Sequence, residues 1–247
     1  MNATQTQIPE ILEQIHGQGT VYEESGTLRE VGLTAMRREQ GVDLQRMVRE
    51  NKARRTIETG FAFGASGLHM VLGMIEGGAA EPVHVAMDPF QSKFWGNAGV
   101  ESFRRAGVIE CLTMYEESSS FRLPELIRAG TEPFDLALVD GAHLFENAFI
   151  DIYYLSQLVR PGGLLVVDDV WMPGVRWAMD YFVKNLGWKQ HSQYPPQPYQ
   201  VKRRFRPTPP LSGVNQVVFQ MGDAPKRNWD HFVPFGDKDG PLEFAQP

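Results

Sequence analysis

A chain of 247 residues, 42% of them hydrophobic and with a formal net charge of −6, is long enough to bury a substantial core as one enzyme-sized unit. The acidic balance argues against a nucleic-acid-binding protein, because Lys and Arg are dense only at Lys202-Arg203-Arg204 with Arg206. A single cysteine, Cys111, excludes an intramolecular disulfide framework and a cysteine-rich zinc site, and no apolar run approaches the roughly 18 residues that a membrane span requires. The opening residues are too polar for a signal peptide, so a cytoplasmic protein without nucleic-acid or membrane partners is expected.

In chain order, Ile8, Ile11, Leu12 and Ile15 recur at helical spacing, and a second helical pattern runs from Gly41 to Glu50, where Leu44, Met47 and Val48 share a face. Residues 1–50 therefore read as an N-terminal helical cap. From residue 56 the pattern changes to short apolar runs separated by helices. TIETG precedes a helix over Gly67–Ile75, VHVAMD precedes one over Asn97–Ala106, and a strand around Cys111–Met114 precedes one over Leu123–Arg128. FDLALVD, a helix over Leu144–Leu158, a turn at RPGG and the strand LLVVDDV follow. Strands that are apolar throughout and alternate with helices indicate a parallel sheet covered on both faces, a doubly wound α/β fold. A helix over Val175–Leu186 and two strands, WKQHSQY and NQVVFQM, complete a domain spanning residues 51–222. Between those strands lies a proline-rich insertion, 194–213, too long for a hairpin loop; it reads either as a cover over an active-site mouth or as a surface loop. The tail, 223–247, carries Trp229, His231, Phe232, Phe235 and Phe244, which suit a lid over an apolar substrate or a homodimer contact equally.

In open parallel sheets, ligands bind beyond the carboxyl ends of the strands, so the first strand–helix turn of the series is the place to look. It reads E-x-G-x-x-x-G-x-S from Glu58 through Gly60, Phe61 and Gly64 to Ser66. Glycines at such a turn accept positive φ and let a ligand approach the backbone, and Gly67 helps the following helix pack on the sheet. A dinucleotide fingerprint would read G-x-G-x-x-G; a pyrophosphate there needs bare amides and is repelled by a carboxylate such as Glu58. A ligand carrying an ammonium and a sulfonium favours that carboxylate, which points to S-adenosylmethionine. Asp88, ending the second strand, can accept hydrogen bonds from both ribose hydroxyls, although an acid there also suits NAD. Glu117 and Ser118 after the third strand reach the adenine edge or form a solvated turn.

Asp140 ends one strand and the Asp168-Asp169 pair ends the next, so three carboxylates should gather on one sheet edge. Such crowding is costly unless protons or a cation compensate it, and an oxygen-rich donor set without cysteine favours Mg²⁺, with Ca²⁺ or Mn²⁺ as alternatives. The other reading is that Asp140 and Asp168 cap helices or contact the methionine end of the cofactor without metal. His143 lies just beyond Asp140; a neutral imidazole with a pKa of about 6.5 can take a proton from a substrate hydroxyl.

Taken together, "ETGFAFGAS", "MDPF", "FDLALVDGAH", "RPGGLLVVDDV" and the earlier helix "QGVDLQRMVRE" resemble the class I S-adenosylmethionine-dependent methyltransferases, in the small-molecule O-methyltransferase branch that includes the catechol and caffeoyl-CoA enzymes. The resemblance covers roughly residues 40–190. It implies a seven-stranded, Rossmann-like sheet, S-adenosylmethionine held by Glu58, Gly60, Phe61, Gly64, Ser66, Asp88, Glu117, Ser118 and Asp140, and Mg²⁺ held by Asp140, Asp168 and Asp169. The matching family positions carry an Asp and an Asp-Asn pair; Asp169 replaces the Asn. His143 falls at the offset of the family's catalytic lysine. The implied reaction is O-methylation of a small hydroxylated acceptor, with an acceptor pocket among the N-terminal helices, the segment Trp171–Trp177 and the tail. The competing classes are an NAD-dependent oxidoreductase on a similar fold and a non-catalytic cofactor-binding protein.

Overall fold

The computed structural model describes residues 6–32, 34–195, 197–198, 214–223 and 225–235. The basic cluster at 202–206, most of the proline-rich insertion, and Phe244 lie outside the described residues. The chain divides into two compact units, Met1–Leu136 and Ala137–Pro247.

The first unit opens with helix α1 (Ile8–Glu13), a π-helical turn (Gln14–Gln18) and a two-stranded antiparallel sheet of β1 (Thr20–Tyr22) and β2 (Leu28–Glu30). Helix α2 (Arg38–Glu50) buries Leu44, Met47 and Val48, the face expected from their spacing. Three βα pairs follow: β3 (Arg55–Thr59) with α3 (Ala65–Glu76), β4 (Val83–Met87) with α4 (Ala98–Arg105), and β5 (Leu112–Tyr115) with α5 (Ser119–Arg128). Every residue of α3 from Ala65 to Ile75 is buried. Two glycines allow this helix to lie so deep: a Cβ at Gly73 would stand 2.5 Å from the Gln45 carbonyl oxygen, and one at Gly67 would stand 2.7 Å from His84 Nε2. Cys111 is buried in a 3₁₀ turn just before β5.

Strand β6 (Phe134–Val139) spans the boundary between the units. The second unit continues with α6 (Phe145–Leu158), β7 (Val159–Val167), α7 (Pro173–Leu186), β8 (Gln197–Pro198) and β9 (Val214–Gln220). Helices α6 and α7 meet through aromatic rings, with Phe149 5.0 Å from Tyr181 and 5.1 Å from Phe182, and Phe182 stacks on Trp188. The tail segment before Phe235 is pinned to α7 by a two-way amide bond: Val233 N–H donates to Asn185 Oδ1 (2.6 Å), and Asn185 Nδ2 donates to Val233 O (2.9 Å).

The strand order is β5-β4-β3-β6-β7-β9-β8, a mostly parallel seven-stranded sheet. Strands β3, β4 and β5 pair in parallel, Thr56 opposite His84 and His84 opposite Leu112, and β9 runs antiparallel to β7 with Val167 opposite Val217. The fold is thus the Rossmann-like arrangement that the alternation of apolar runs and helices implies.

Four local expectations are corrected. The hairpin of β1 and β2 interrupts what reads as an all-helical cap; its strands are three residues each, too short for an alternating pattern. The RPGG stretch is not a turn but the first part of β7, where Gly162 adopts φ +79° and its N–H reaches Met221 O at 2.7 Å, so antiparallel pairing continues past the proline. WKQHSQY forms no strand and makes only an isolated bridge from Gln190 to Phe219. Helix α5 starts at Ser119 rather than Leu123 and runs through Pro124, which forgoes one helical N–H bond inside it.

Candidate functional site

In the first unit, the alternation of β3 places Thr56 and Glu58 on one face, and the parallel register sets His84 opposite Thr56. The three side chains form a buried chain: His84 Nε2–H donates to Glu58 Oε1 (2.9 Å), and His84 Nδ1 lies 2.9 Å from Thr56 Oγ1. An acceptor-only carboxylate on Nε2 fixes that nitrogen as the donor, so in the neutral ring Thr56 donates to Nδ1. Ser66, in the first turn of α3, donates to Glu58 Oε2 at 2.5 Å. Both oxygens of the fully buried Glu58 are therefore engaged by protein groups. It anchors the turn from strand to helix, a role the E-x-G-x-x-x-G-x-S spacing does not disclose.

The turn itself needs its glycines. Gly64 caps α3 at φ +77°, with room for a Cβ only 3.1 Å from the Gly99 carbonyl oxygen, and Ala62 is also left-handed at φ +42°. Asp88 holds this conformation: its Oδ2 accepts from the amides of Phe61 (3.3 Å) and Ala62 (2.8 Å) and from Gln91 Nε2 (3.2 Å), and its Oδ1 accepts from Phe90 N (2.9 Å). Gln91 Nε2 also donates to Ala62 O at 2.8 Å. The Phe61 side chain is core, 5.5 Å from Phe103, and its ring packs against the turn, where a Cβ at Gly64 would meet it at 3.2 Å. Glu117 is paired with Arg122 at 2.7 Å, and Ser118 precedes α5 with its hydroxyl 2.8 Å from that of Ser120. Sequence reasoning missed Gln91 and Thr59. Both are buried, and Gln91 Oε1 and Thr59 Oγ1 make no hydrogen bond among the described residues; the amide placed soon after Asp88 in "MDPFQ" was the available signal.

In the second unit, Asp140 follows β6, His143 precedes α6, and Asp168 and Asp169 follow β7. Asp140, His143 and Asp169 offer donor atoms that all lie within 4.8 Å of one another. His143 Nε2 lies 2.9 Å from Asp169 Oδ2 and 4.0 Å from Asp140 Oδ1; the shorter contact is an ion pair out of line for a hydrogen bond. Gly174 backs this turn, since a Cβ there would stand 2.4 Å from the His143 carbonyl oxygen. Asp169 is left-handed at φ +52° and accepts from Trp171 Nε1 at 2.7 Å. Asp168 is turned away into the interior, where its Oδ1 accepts from Asn215 Nδ2 (2.6 Å) and Asp169 N (2.8 Å).

The electrostatics differ from those of an isolated imidazole. Burial alone pushes the His143 pKa down, but the two carboxylates, Asp140 and Asp169, outweigh it and hold the ring up at about 10. His143 is thus a cation at neutral pH in this arrangement, which corrects the expectation of a neutral imidazole. Asp168 is pushed well above the usual carboxylate range by its burial and then by the charges of Asp140 and Asp169. The donor chemistry of Asp140, Asp169 and His143, two carboxylates beside one imidazole, fits an oxygen-preferring divalent cation that would compensate this excess charge.

The mostly parallel sheet with a pinned glycine turn after β3 matches the Rossmann-like methyltransferase fold. Residues 57–170 match the family described as "Methyltransferase domain". Two solved structures share the fold. The O-methyltransferase from Bacillus cereus, in complex with S-adenosylhomocysteine, superposes with a TM-score of 0.63 at 15% identity, over 87% of this chain and 90% of that one. The O-methyltransferase of tomaymycin synthesis from Streptomyces achromogenes, in complex with S-adenosylmethionine, gives 0.62 at 19% identity, over 87% and 89%. Demethylmacrocin O-methyltransferase from Streptomyces fradiae is 44% identical over 39 residues, which span 16% of this chain and only 10% of that protein. Among the described residues, no helix is long and apolar enough to cross a membrane.

Proposed function

We propose that the protein transfers the methyl group of S-adenosylmethionine to a hydroxyl oxygen of a small-molecule acceptor in the cytoplasm. The observation that carries this reading is the glycine turn of the methyltransferase domain, pinned through the Phe61 and Ala62 amides by Asp88. The three named relatives are all O-methyltransferases, which favours oxygen as the acceptor atom. The pinned loop argues against an oxidoreductase, because Asp88 already occupies the amides that a pyrophosphate would need.

S-Adenosylmethionine, when bound, supplies an electrophilic methyl group. The turn from Gly60 to Gly64, with Asp88, Glu117 and Ser118, would hold its adenosyl portion, and Thr59 Oγ1 and Gln91 Oε1 offer further hydrogen-bonding capacity there. A divalent cation, when bound, lowers the pKa of a coordinated hydroxyl. Asp140 and Asp169 would hold it, with Asp168 backing them from the interior, and compensating Asp140 and Asp169 would weaken their grip on the His143 proton, freeing the imidazole to take the acceptor's proton. Positioning and exclusion of water would supply most of the acceleration.

The test is isothermal titration of the purified protein with S-adenosylmethionine, S-adenosylhomocysteine and NADH, with and without Mg²⁺, followed by assay of S-adenosylhomocysteine release from a panel of hydroxylated acceptors. Binding of the adenosyl ligands but not NADH is expected. NADH binding alone would overturn the assignment, and adenosyl binding with no turnover across the panel would favour a non-catalytic cofactor-binding protein.

A further inference from the structure

Arg29 stands where three segments of the first unit meet. It lies on β2, and its guanidinium carbon is 5.8 Å from the ring centre of Phe63, 5.7 Å from that of Phe94 and 5.7 Å from that of Trp95. Its Nη1 donates to the Phe94 carbonyl oxygen at 2.6 Å and pairs with Glu23 Oε1 at 3.2 Å. Phe63 belongs to the glycine turn, whereas Phe94 and Trp95 belong to the segment after Asp88, and the rings of Phe63 and Trp95 meet edge to face at 5.1 Å.

The hairpin makes further ties to the same segment. Glu24 N–H donates to Gly96 O at 2.9 Å, and Asn97 Nδ2 donates to Glu24 Oε2 at 2.6 Å. From that segment Gln91 reaches back to both Ala62 O and Asp88 Oδ2. A chain of direct contacts therefore runs from the hairpin to the groups that shape the cofactor turn. An isolated hairpin of three-residue strands is marginal in water, so this one persists through these contacts rather than through its own ladder. A guanidinium among three rings is stabilised by each of them, and the two N–H groups on its Nη1 can serve a carbonyl and a carboxylate at once.

We propose that Arg29 is a positioning residue for the cofactor: it clamps the glycine turn to the segment after Asp88 and so pre-sets the turn before the ligand arrives. The proposal rests on the assignment of that turn to S-adenosylmethionine. Losing the clamp costs ordering of the turn on each binding event, which weakens the ligand without touching the transfer step.

The experiment compares wild type, Arg29→Met and Arg29→Lys by isothermal titration with S-adenosylmethionine and by steady-state kinetics. Arg29→Met, which keeps the stem and removes the guanidinium, is expected to weaken S-adenosylmethionine by about tenfold and to raise its KM in parallel, while kcat at saturating cofactor stays within about twofold. Arg29→Lys should recover part of the affinity, because an ammonium keeps the attraction to the rings but loses the fork. Wild-type affinity in Arg29→Met would overturn the proposal, as would a lower melting temperature with unchanged affinity of the folded fraction, the mark of simple packing. Should that variant not fold, Phe94→Leu, at a residue 58% exposed, removes one wall of the cage; about threefold weaker binding is expected, and unchanged affinity overturns the clamp. Failure of the wild type itself to bind S-adenosylmethionine would instead remove the assignment of the turn, and Arg29's role with it.

Discussion

Glu58 and Asp168 are both carboxylates shut away from solvent at the carboxyl end of a strand, 0% and 5% exposed, and the protein treats them in opposite ways. Glu58 is satisfied: Ser66 takes one oxygen, His84 the other, and Thr56 completes the chain behind His84. Asp168 has Asn215 and one backbone amide on one oxygen, but it shares its surroundings with two further carboxylates and is driven toward its protonated form. A buried charge with a full set of partners is scaffolding, whereas a buried charge in a crowd of its own sign is a cost held in reserve for a ligand. The first shapes the glycine turn, and the second stands behind the group of Asp140, His143 and Asp169.

Truncating each acid should separate the two roles. Glu58→Ala strands His84 and Ser66 in the core and should cost about 3–5 kcal/mol of stability, measured by urea unfolding. A loss below about 1 kcal/mol would show that Glu58 is not the anchor. Asp168→Ala should lower turnover by about a hundredfold or more while S-adenosylmethionine affinity, followed by titration, changes by less than about threefold. Wild-type turnover in that variant would end the role of Asp168 behind the proposed metal.

Neutralising rather than truncating Asp168 should reverse the sign of the stability effect. Asp168→Asn keeps shape and removes the repulsion, so the melting temperature at pH 8 should rise by about 2–4 °C, which corresponds to about 1 kcal/mol in a chain of this size. Because the folded-state pKa of Asp168 lies above its unfolded value, its cost accrues as pH rises; the gain should therefore shrink toward pH 4, and a pH-independent gain would contradict the account.

A buried base gives the mildest contrast. His69, on α3, faces α2, its Nδ1–H donating to Gln45 Oε1 at 3.1 Å and its Nε2 lying 3.1 Å from His16 Nε2. Burial first, then His16 and Arg38, bring its pKa down to about 3. Between about 6.5 and 3 the unfolded chain takes a proton that the folded one refuses, so stability should fall as pH falls across that window, by about 1.4 kcal/mol per pH unit. In His69→Gln that slope should flatten, as read from urea midpoints between pH 7 and pH 5; an unchanged slope would exonerate His69.

What was legible in the sequence follows from the same physics. The parallel strands and their helices were visible because burial on both faces leaves long apolar runs with helical patterns between them, as in FDLALVD before α6. The glycine turn and the carboxylate cluster were visible because their residue types are costly anywhere else. Partners were not visible. Nothing in the spacing tells that Ser66 and His84 saturate Glu58, that Asp88 faces the loop amides, or that His143 pairs with Asp169 and is raised to about 10 rather than staying neutral. The hairpin that carries Arg29 was missed for a related reason, since its short strands are held by contacts with residues far along the chain.

Cys111 has a practical consequence. It is the sole thiol of the chain, 6% exposed, and burial pushes its ionisation up, so the folded protein withholds a reactive thiolate. Alkylation then requires the turn that holds Cys111 to open, which makes the native sequence its own stopwatch. Any ligand that grips the glycine turn should slow that clock in proportion to its occupancy, so a maleimide time course would screen for cofactors with neither label nor assay.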